Sequence, residues 1–233
     1  MKTPARSEPT KRSSKISRQT AKGNGCLSGF LIPPIAVLCV SALLVAFVGR
    51  FSNAPTGPAQ TTLRAATGGG AISTLFTPEI QFWAANLQRW AAANGVDVNL
   101  AATVMQIESC GDPDARSSAG AMGLFQVMPY HFLRGENAYD PETNARRGLD
   151  YLRRSFERAN GDARLALAGY NGGIGVIGRA ESTWPAETKR YVYWGAIYND
   201  AAQNADHSPR LDEWYKIAGA GMCARARQHL GID

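Results

Sequence analysis

Glu108-Ser-Cys-Gly-Asp-Pro-Asp-Ala-Arg-Ser-Ser-Ala-Gly-Ala-Met-Gly-Leu-Phe-Gln-Val-Met-Pro129 is the stretch on which the reading of this chain turns. A lone carboxylate closes an apolar run that includes Met105 and Ile107, and it is followed by a loop of small residues and then by Gln126. A general acid that must reach a bulky, uncharged substrate needs this arrangement. The acid stands at the end of a rigid element, and the small residues leave room beside it.

Working outward, helical periodicity dominates. Asn99 is expected to cap a helix in which Leu100, Val104, Ile107 and Glu108 fall on one side. Before it, Thr77-Pro78 reads as an N-cap and first helical residue, with Ile80, Trp83, Leu87, Trp90 and Ala91 at helical spacing and Gly95 as the stop. After the loop, Asp140-Pro141 starts a segment that carries Ala145, Leu149, Leu152 and Phe156 and is ended by Asn160-Gly161. Asp162 caps a short run to Tyr170, and Trp184-Pro185 opens a helix carrying Tyr191, Trp194, Ile197 and Tyr198. A last helix is expected from Leu211 to Leu230. No stretch keeps the period-two alternation of a strand beyond a few residues. The fold class expected is therefore mainly α, with loops around 110–130 and 171–183.

With 233 residues, 45% of them apolar, the chain can bury one sizeable core, and no repeat of 20 to 50 residues runs along it. Residues 1–25 carry Lys2, Arg6, Lys11, Arg12, Lys15, Arg18 and Lys22 against Glu8 alone, which accounts for the whole formal charge of +6. What remains is neutral and lacks the footprint of a nucleic-acid binder. From Cys26 to Val48 there is no charge, and these residues at about 1.5 Å each are long enough for the ~30 Å of a bilayer core. The basic tail before them places the N-terminus in the cytoplasm. The alternative is a cleaved signal peptide with its site near Ser52-Asn53-Ala54, which Pro55 and the long basic region disfavour. Either way the remainder lies outside the cytoplasm. Residues 49–77, rich in Ser, Thr, Pro, Gly and Ala, read as a flexible tether, and 78–233 as the folded domain.

Several separated segments together resemble the lytic transglycosylase domain of the soluble-lytic-transglycosylase type, a fold related to goose-type lysozyme. Glu108-Ser109 matches that family's catalytic pair, and Ser117-x-x-Gly-Ala-x-Gly-Leu-Phe-Gln126-Val-Met128-Pro129 matches its Gly-Leu-Met-Gln-x-Met-Pro block. Asp140-Pro-Glu-Thr-Asn144 with Gly148-x-x-Tyr151-Leu152, Ala168-Gly-Tyr170-Asn171-Gly-Gly173 and Glu187-Thr-Lys-Arg-Tyr191-Val192 match the later motifs in order. The resemblance covers roughly residues 80–200. It departs at Phe125, where the family usually has Met, at Gly169, where Ala is usual, at Cys110, and in a short loop between Pro129 and Asp140.

The resemblance implies cleavage of the β-1,4 bond between N-acetylmuramic acid and N-acetylglucosamine in peptidoglycan, with a 1,6-anhydro end as product. Its single acid would be Glu108, so the lack of a partner carboxylate is no objection. Substrate contacts are implied for Ser117, Gln126, Met128, Tyr170, Asn171 and Tyr191. Each has a plainer reading from sequence. Gln126 can bond loop backbone, Ser117 can close a turn, Asn171 can end a helix before Gly172-Gly173, and most of the aromatics near Tyr191 belong in a core. Glu187, two residues after Pro185, reads as a first-turn carboxylate favoured by the helix dipole, and Asp112 and Asp114 as turn formers around Pro113. A muramidase that cleaves the same bond with water and an inert peptidoglycan-binding module are the rival functions.

No metal or cofactor is expected. His131, His207 and His229 are scattered, and Gly172-Gly173-x-Gly175 is too short for a phosphate loop. Cys110 and Cys223 are the only cysteines outside the apolar span, in a compartment where disulfides persist, and are expected to pair.

Overall fold

A computed structural model describes residues 70–232. The basic tail, the apolar span 26–48 and the tether up to residue 69 lie outside the described residues. Among those described, no helix is long and apolar enough to cross a membrane.

Nine α-helices are present there, and no strand. They are α1 (Pro78–Phe82), α2 (Ala84–Asn94), α3 (Val98–Glu108), α4 (Pro141–Arg158), α5 (Ala163–Gly172), α6 (Ala186–Gly195), α7 (Ile197–Ala202), α8 (Pro209–Trp214) and α9 (Ala220–Leu230). Helix α3 is the axis of the fold. Every residue from Val98 to Gln106 is buried, so it has no solvent face and must be covered on all sides. Helices α2, α6 and α7 supply that cover, while α5 packs between α4 and α6. The N-cap of α3 is Asp97, two residues earlier than expected. Its carboxylate accepts from the amides of Asn99 and Leu100, and Asn99 instead accepts from the Ser73 amide at 2.8 Å.

Further boundaries differ from the sequence reading, and the helix expected to run from Trp184-Pro185 past Tyr198 breaks at Ala196 into α6 and α7. The segment 78–94 breaks at Trp83, whose indole donates to the Gly111 carbonyl at 2.8 Å. Thr77 stands at the N-cap of α1 with extended backbone, but its hydroxyl bonds Gln106 Oε1 at 3.1 Å and no helix amide. Residues 70–77, expected to belong to the tether, include buried Ser73 and Phe76, and Gln81 donates to the Ser73 carbonyl, so packed chain begins before Pro78. Toward the C-terminus, α8 and α9 run on through a π turn over Tyr215–Gly219, within the single helix expected from Leu211. Ser208 caps it by accepting from the Leu211 amide.

Helix α9 is fastened three times. Cys223 forms a disulfide with Cys110, two residues past Glu108, with Cα atoms 5.1 Å apart. Arg227 donates to the fully buried Glu79 of α1 at 2.5 Å. His229 Nδ1 lies 2.8 Å from the buried carboxylate of Asp112. The hydrogen bond to Asp112 raises the His229 pKa.

Opening the disulfide frees a loop that spans 113 residues of sequence. Cys223→Ser is expected to lower the unfolding free energy by about 2–5 kcal/mol, as is reduction of the parent chain. Urea denaturation with and without dithiothreitol checks this, and reductant should leave the variant's midpoint unchanged.

Candidate active site

The loop after α3 is built from polar bonds to its own backbone. Ser109 ends the helix, donates its hydroxyl to the Leu124 carbonyl at 2.7 Å and accepts from the Gly111 amide at 3.1 Å. The chain between residues 115 and 127 folds on itself through two isolated antiparallel bridges, Arg116 with Met122 and Met122 with Val127. Asn144 of α4, almost completely buried, ties this fold to the helices. Its Oδ1 accepts from the Phe125 amide at 2.8 Å, and its Nδ2 donates to the carbonyls of Met122 and Ala138. Gly148, one turn further along α4, lets that loop lie against the helix. A Cβ there would come within 2.5 Å of the Phe125 Cβ.

Two adjoining cavities of about 540 and 460 Å³ open on either side of Glu108. Both are lined by Glu108, Ser117, Gln126, Asn171 and Glu187, so they are halves of one cleft that meet at the acid. One half continues along Met128, Tyr130, His131, Tyr151 and Tyr170. Its rings form a ladder, with centroids 4.6 Å apart from Tyr130 to His131, 4.8 Å to Tyr151 and 5.7 Å on to Tyr170. The other half continues along Trp194, Trp214, Met222, Arg225 and His229.

Glu108 is partly open to this cleft and otherwise enclosed by protein. Burial pushes its carboxyl up to about 8; the Tyr191 hydroxyl opposes the rise and the Glu187 carboxylate adds to it. As the last residue of α3, Glu108 also meets the negative end of the helix dipole, which disfavours ionisation further. The group is therefore mostly protonated at neutral pH, as a proton donor must be. Tyr191 is buried, and its hydroxyl is close enough to Glu108 to favour the carboxylate. Yet it has no hydrogen bond of good geometry among the described residues. Tyr170, whose own pKa is raised well above the ordinary value by burial and by Glu108, donates to the Phe125 carbonyl at 2.7 Å.

The remaining residues singled out from sequence all reach the cleft, several with their plainer roles as well. Gln126 sits in the left-handed region at φ 45° and spends its amide nitrogen on the carbonyls of Ala115 and Gly123. Ser117 accepts from the Ala121 amide, closing a turn. Asn171 lies on the last turn of α5 and accepts from the Thr188 hydroxyl at 3.0 Å, so it does not act as a C-cap. Glu187 does stand in the first turn of α6, and it also faces the acid, which its spacing from Pro185 did not reveal. Tyr130 and His131, and the C-terminal Trp214, Met222, Arg225 and His229, escaped the sequence reading. For the last four a signal existed, because Trp214, Ala218, Met222, Arg225 and His229 recur at helical spacing. Asp112, Asp114 and His229 bring one oxygen or nitrogen each within 4.8 Å of one another, where the Asp114 amide and His229 already bond Asp112.

Residues 85–192 match the family model of the transglycosylase SLT domain. Over 114 residues the chain is 39% identical to a transglycosylase of Enterobacteria phage PRD1, a match covering 48% of this chain and 40% of that protein. It is 28% identical over 121 residues to the membrane-bound lytic murein transglycosylase D of Escherichia coli K12, covering 42% of this chain and 27% of the relative. A bifunctional muramidase/DL-endopeptidase of Bacillus subtilis is 29% identical over 127 residues, covering 53% and 36%. The chain thus spans less than half the length of each of these relatives.

The protonated state of Glu108 has a measurable effect on stability. Its folded pKa of about 8 exceeds the ordinary value of 4.5, so the folded chain holds a proton that the unfolded chain releases, and stability falls as pH rises between those values. Glu108→Gln removes this cost. The variant should match the parent near pH 4 and exceed it by on the order of 4 kcal/mol at pH 8, with the gap opening across that window. Urea midpoints measured across the range check the prediction.

Proposed function

We infer that this chain, whose residues 85–192 form a transglycosylase SLT domain, is a peptidoglycan lytic transglycosylase of the cell envelope with Glu108 as its acid. The observation that carries the reading is a carboxyl kept protonated by burial at the point where the two halves of a long cleft meet. A glycan strand laid through such a cleft places one glycosidic oxygen at the acid, with sugars on both sides.

Glu108 gives its proton to the oxygen linking N-acetylmuramic acid to the next sugar, and the C1–O bond breaks toward an oxocarbenium-like centre. The carboxylate left behind is stabilised by the otherwise unpartnered Tyr191 hydroxyl. It then takes the proton of the C6 hydroxyl as that oxygen bonds to C1. The acid is restored, no water is consumed, and the new end is a 1,6-anhydro sugar. Met128 and Tyr170 wall the sugar-binding half, while Ser117, Gln126 and Asn171 present polar groups at the junction of the two halves. The domain's lysozyme-like helical architecture suits this role, since its buried axis ends at the acid.

One observation favours a second reading. Glu187 is a further carboxylate shared by both halves of the cleft, and a base there would activate water instead of the C6 hydroxyl, giving the muramidase reaction. The partial similarity to a muramidase of Bacillus subtilis points the same way. Product mass separates the two outcomes.

For location, the uncharged span 26–48 behind a basic tail supports a membrane anchor with the catalytic domain outside the cytoplasm. A relative described as membrane-bound agrees with an envelope site.

Digestion of purified peptidoglycan should yield muropeptides lighter by one water than their hydrolysed counterparts. Glu108→Gln should lower that release by at least about 10²-fold without loss of fold. The parent rate should decline as pH rises through about 8, where the acid loses its proton. Reducing ends as the main product would move the chain to the muramidase reading. In cell fractionation the full-length chain is expected in the membrane pellet, released by detergent and not by salt.

A further inference from the structure

The two halves of the cleft differ in charge. The half along Met128, Tyr130 and Tyr170 is lined by no lysine or arginine. The opposite half is lined by three arginines, Arg116 from the loop, Arg190 from α6 and Arg225 from α9. Among the described residues, none of these guanidinium groups lies within ion-pair distance of a carboxylate. The acids that line that half form no ion pair with these arginines. Asp112 is bonded by His229, Asp114 is exposed, and Glu108 and Glu187 stand at the junction.

Arg225 belongs to a stripe, Ala218, Met222, Arg225 and His229, that faces the cleft, while Cys223 and Arg227 on the flanks hold the helix in place. None of the stripe falls within residues 85–192, so this wall is an addition to the SLT domain. Three unpaired guanidinium groups beside an apolar floor that includes Trp194 and Met222 suit a ligand with carboxylates on a partly apolar frame. The sugar backbone of a peptidoglycan strand has no anion to offer them. Its carboxylates belong to the peptide carried on the lactyl ether of each muramyl residue.

Resting on the peptidoglycan reading above, we propose that the half-cleft lined by Arg116, Arg190 and Arg225 is an anion subsite for the carboxylates of that peptide. The enzyme therefore distinguishes peptide-bearing strands from stripped ones. Arg225 is a specificity residue, contributed by a helix outside the SLT domain.

The test is equilibrium binding to the full chain carrying Glu108→Gln, which blocks turnover. The probes are a disaccharide-tetrapeptide and the same disaccharide with its lactyl carboxyl capped as the methylamide, so that no carboxylate takes the place of the peptide. The peptide-bearing ligand should bind about tenfold tighter or more at low salt, and the gap should shrink as ionic strength approaches ~0.5 M. Arg225→Gln and Arg190→Gln should each close most of that gap, leave disaccharide affinity within about twofold and keep the parent melting temperature; Arg225→Lys should restore part of it. Equal affinity of the parent for both ligands overturns the subsite alone, as does an equal loss for both ligands in the arginine variants. Binding of neither ligand overturns the peptidoglycan reading with it.

Discussion

A helix with no solvent-exposed face constrains everything around it. From Val98 to Gln106 no residue of α3 is left to solvent, so the rest of the domain must be arranged to cover it. Coverage is complete along its length and is interrupted only at its C-terminal end, where Glu108 meets the cleft. The position of the acid is thus a by-product of burial. The same surroundings that exclude water from Met105 also disfavour charge on the carboxyl one turn further on.

The cleft floor is fixed by polar contacts inside the protein. Asn144 spends its whole amide on backbone groups of the loops at Met122, Phe125 and Ala138, and its burial makes each bond costly to lose. Ser109 does the same between α3 and Leu124. Gln126 is held at positive φ with its amide nitrogen committed to two carbonyls, so whatever it offers a ligand comes from a side chain already fixed in place. Residues that look like substrate contacts in the sequence are here also the struts of the loop that carries them. Removing one disturbs both functions together.

The helices and most of the cleft were legible in the sequence because their signals are local. Asp140 and Asp162 cap the helices they were expected to cap, and the break at Asn160-Gly161 coincides with two residues at positive φ. Misplaced boundaries arose where a long-range partner outbid a local one. Thr77 gives its hydroxyl to Gln106, 29 residues away, and Asn99 is drawn to Ser73, leaving Asp97 to cap α3. Glu187 stands in the first turn of α6 and faces Glu108 as well, and nothing in its neighbourhood of sequence announces the second role. The C-terminal wall was hidden for the same reason. Its stripe is periodic, but only the pairing of residue 223 with residue 110 shows which way that stripe faces.

That pairing also sets an order of assembly. Arg227 and its partner Glu79 are 148 residues apart in sequence, and contacts of such separation form only after much of the chain is available. During vectorial synthesis the axis helix and the loop beyond it emerge long before α9. The nascent domain therefore exposes the α1 surface and the rim of its cleft until the last wall arrives. Only when Cys223 reaches Cys110 is that wall fastened, and the cleft cannot be complete before the last helix is made.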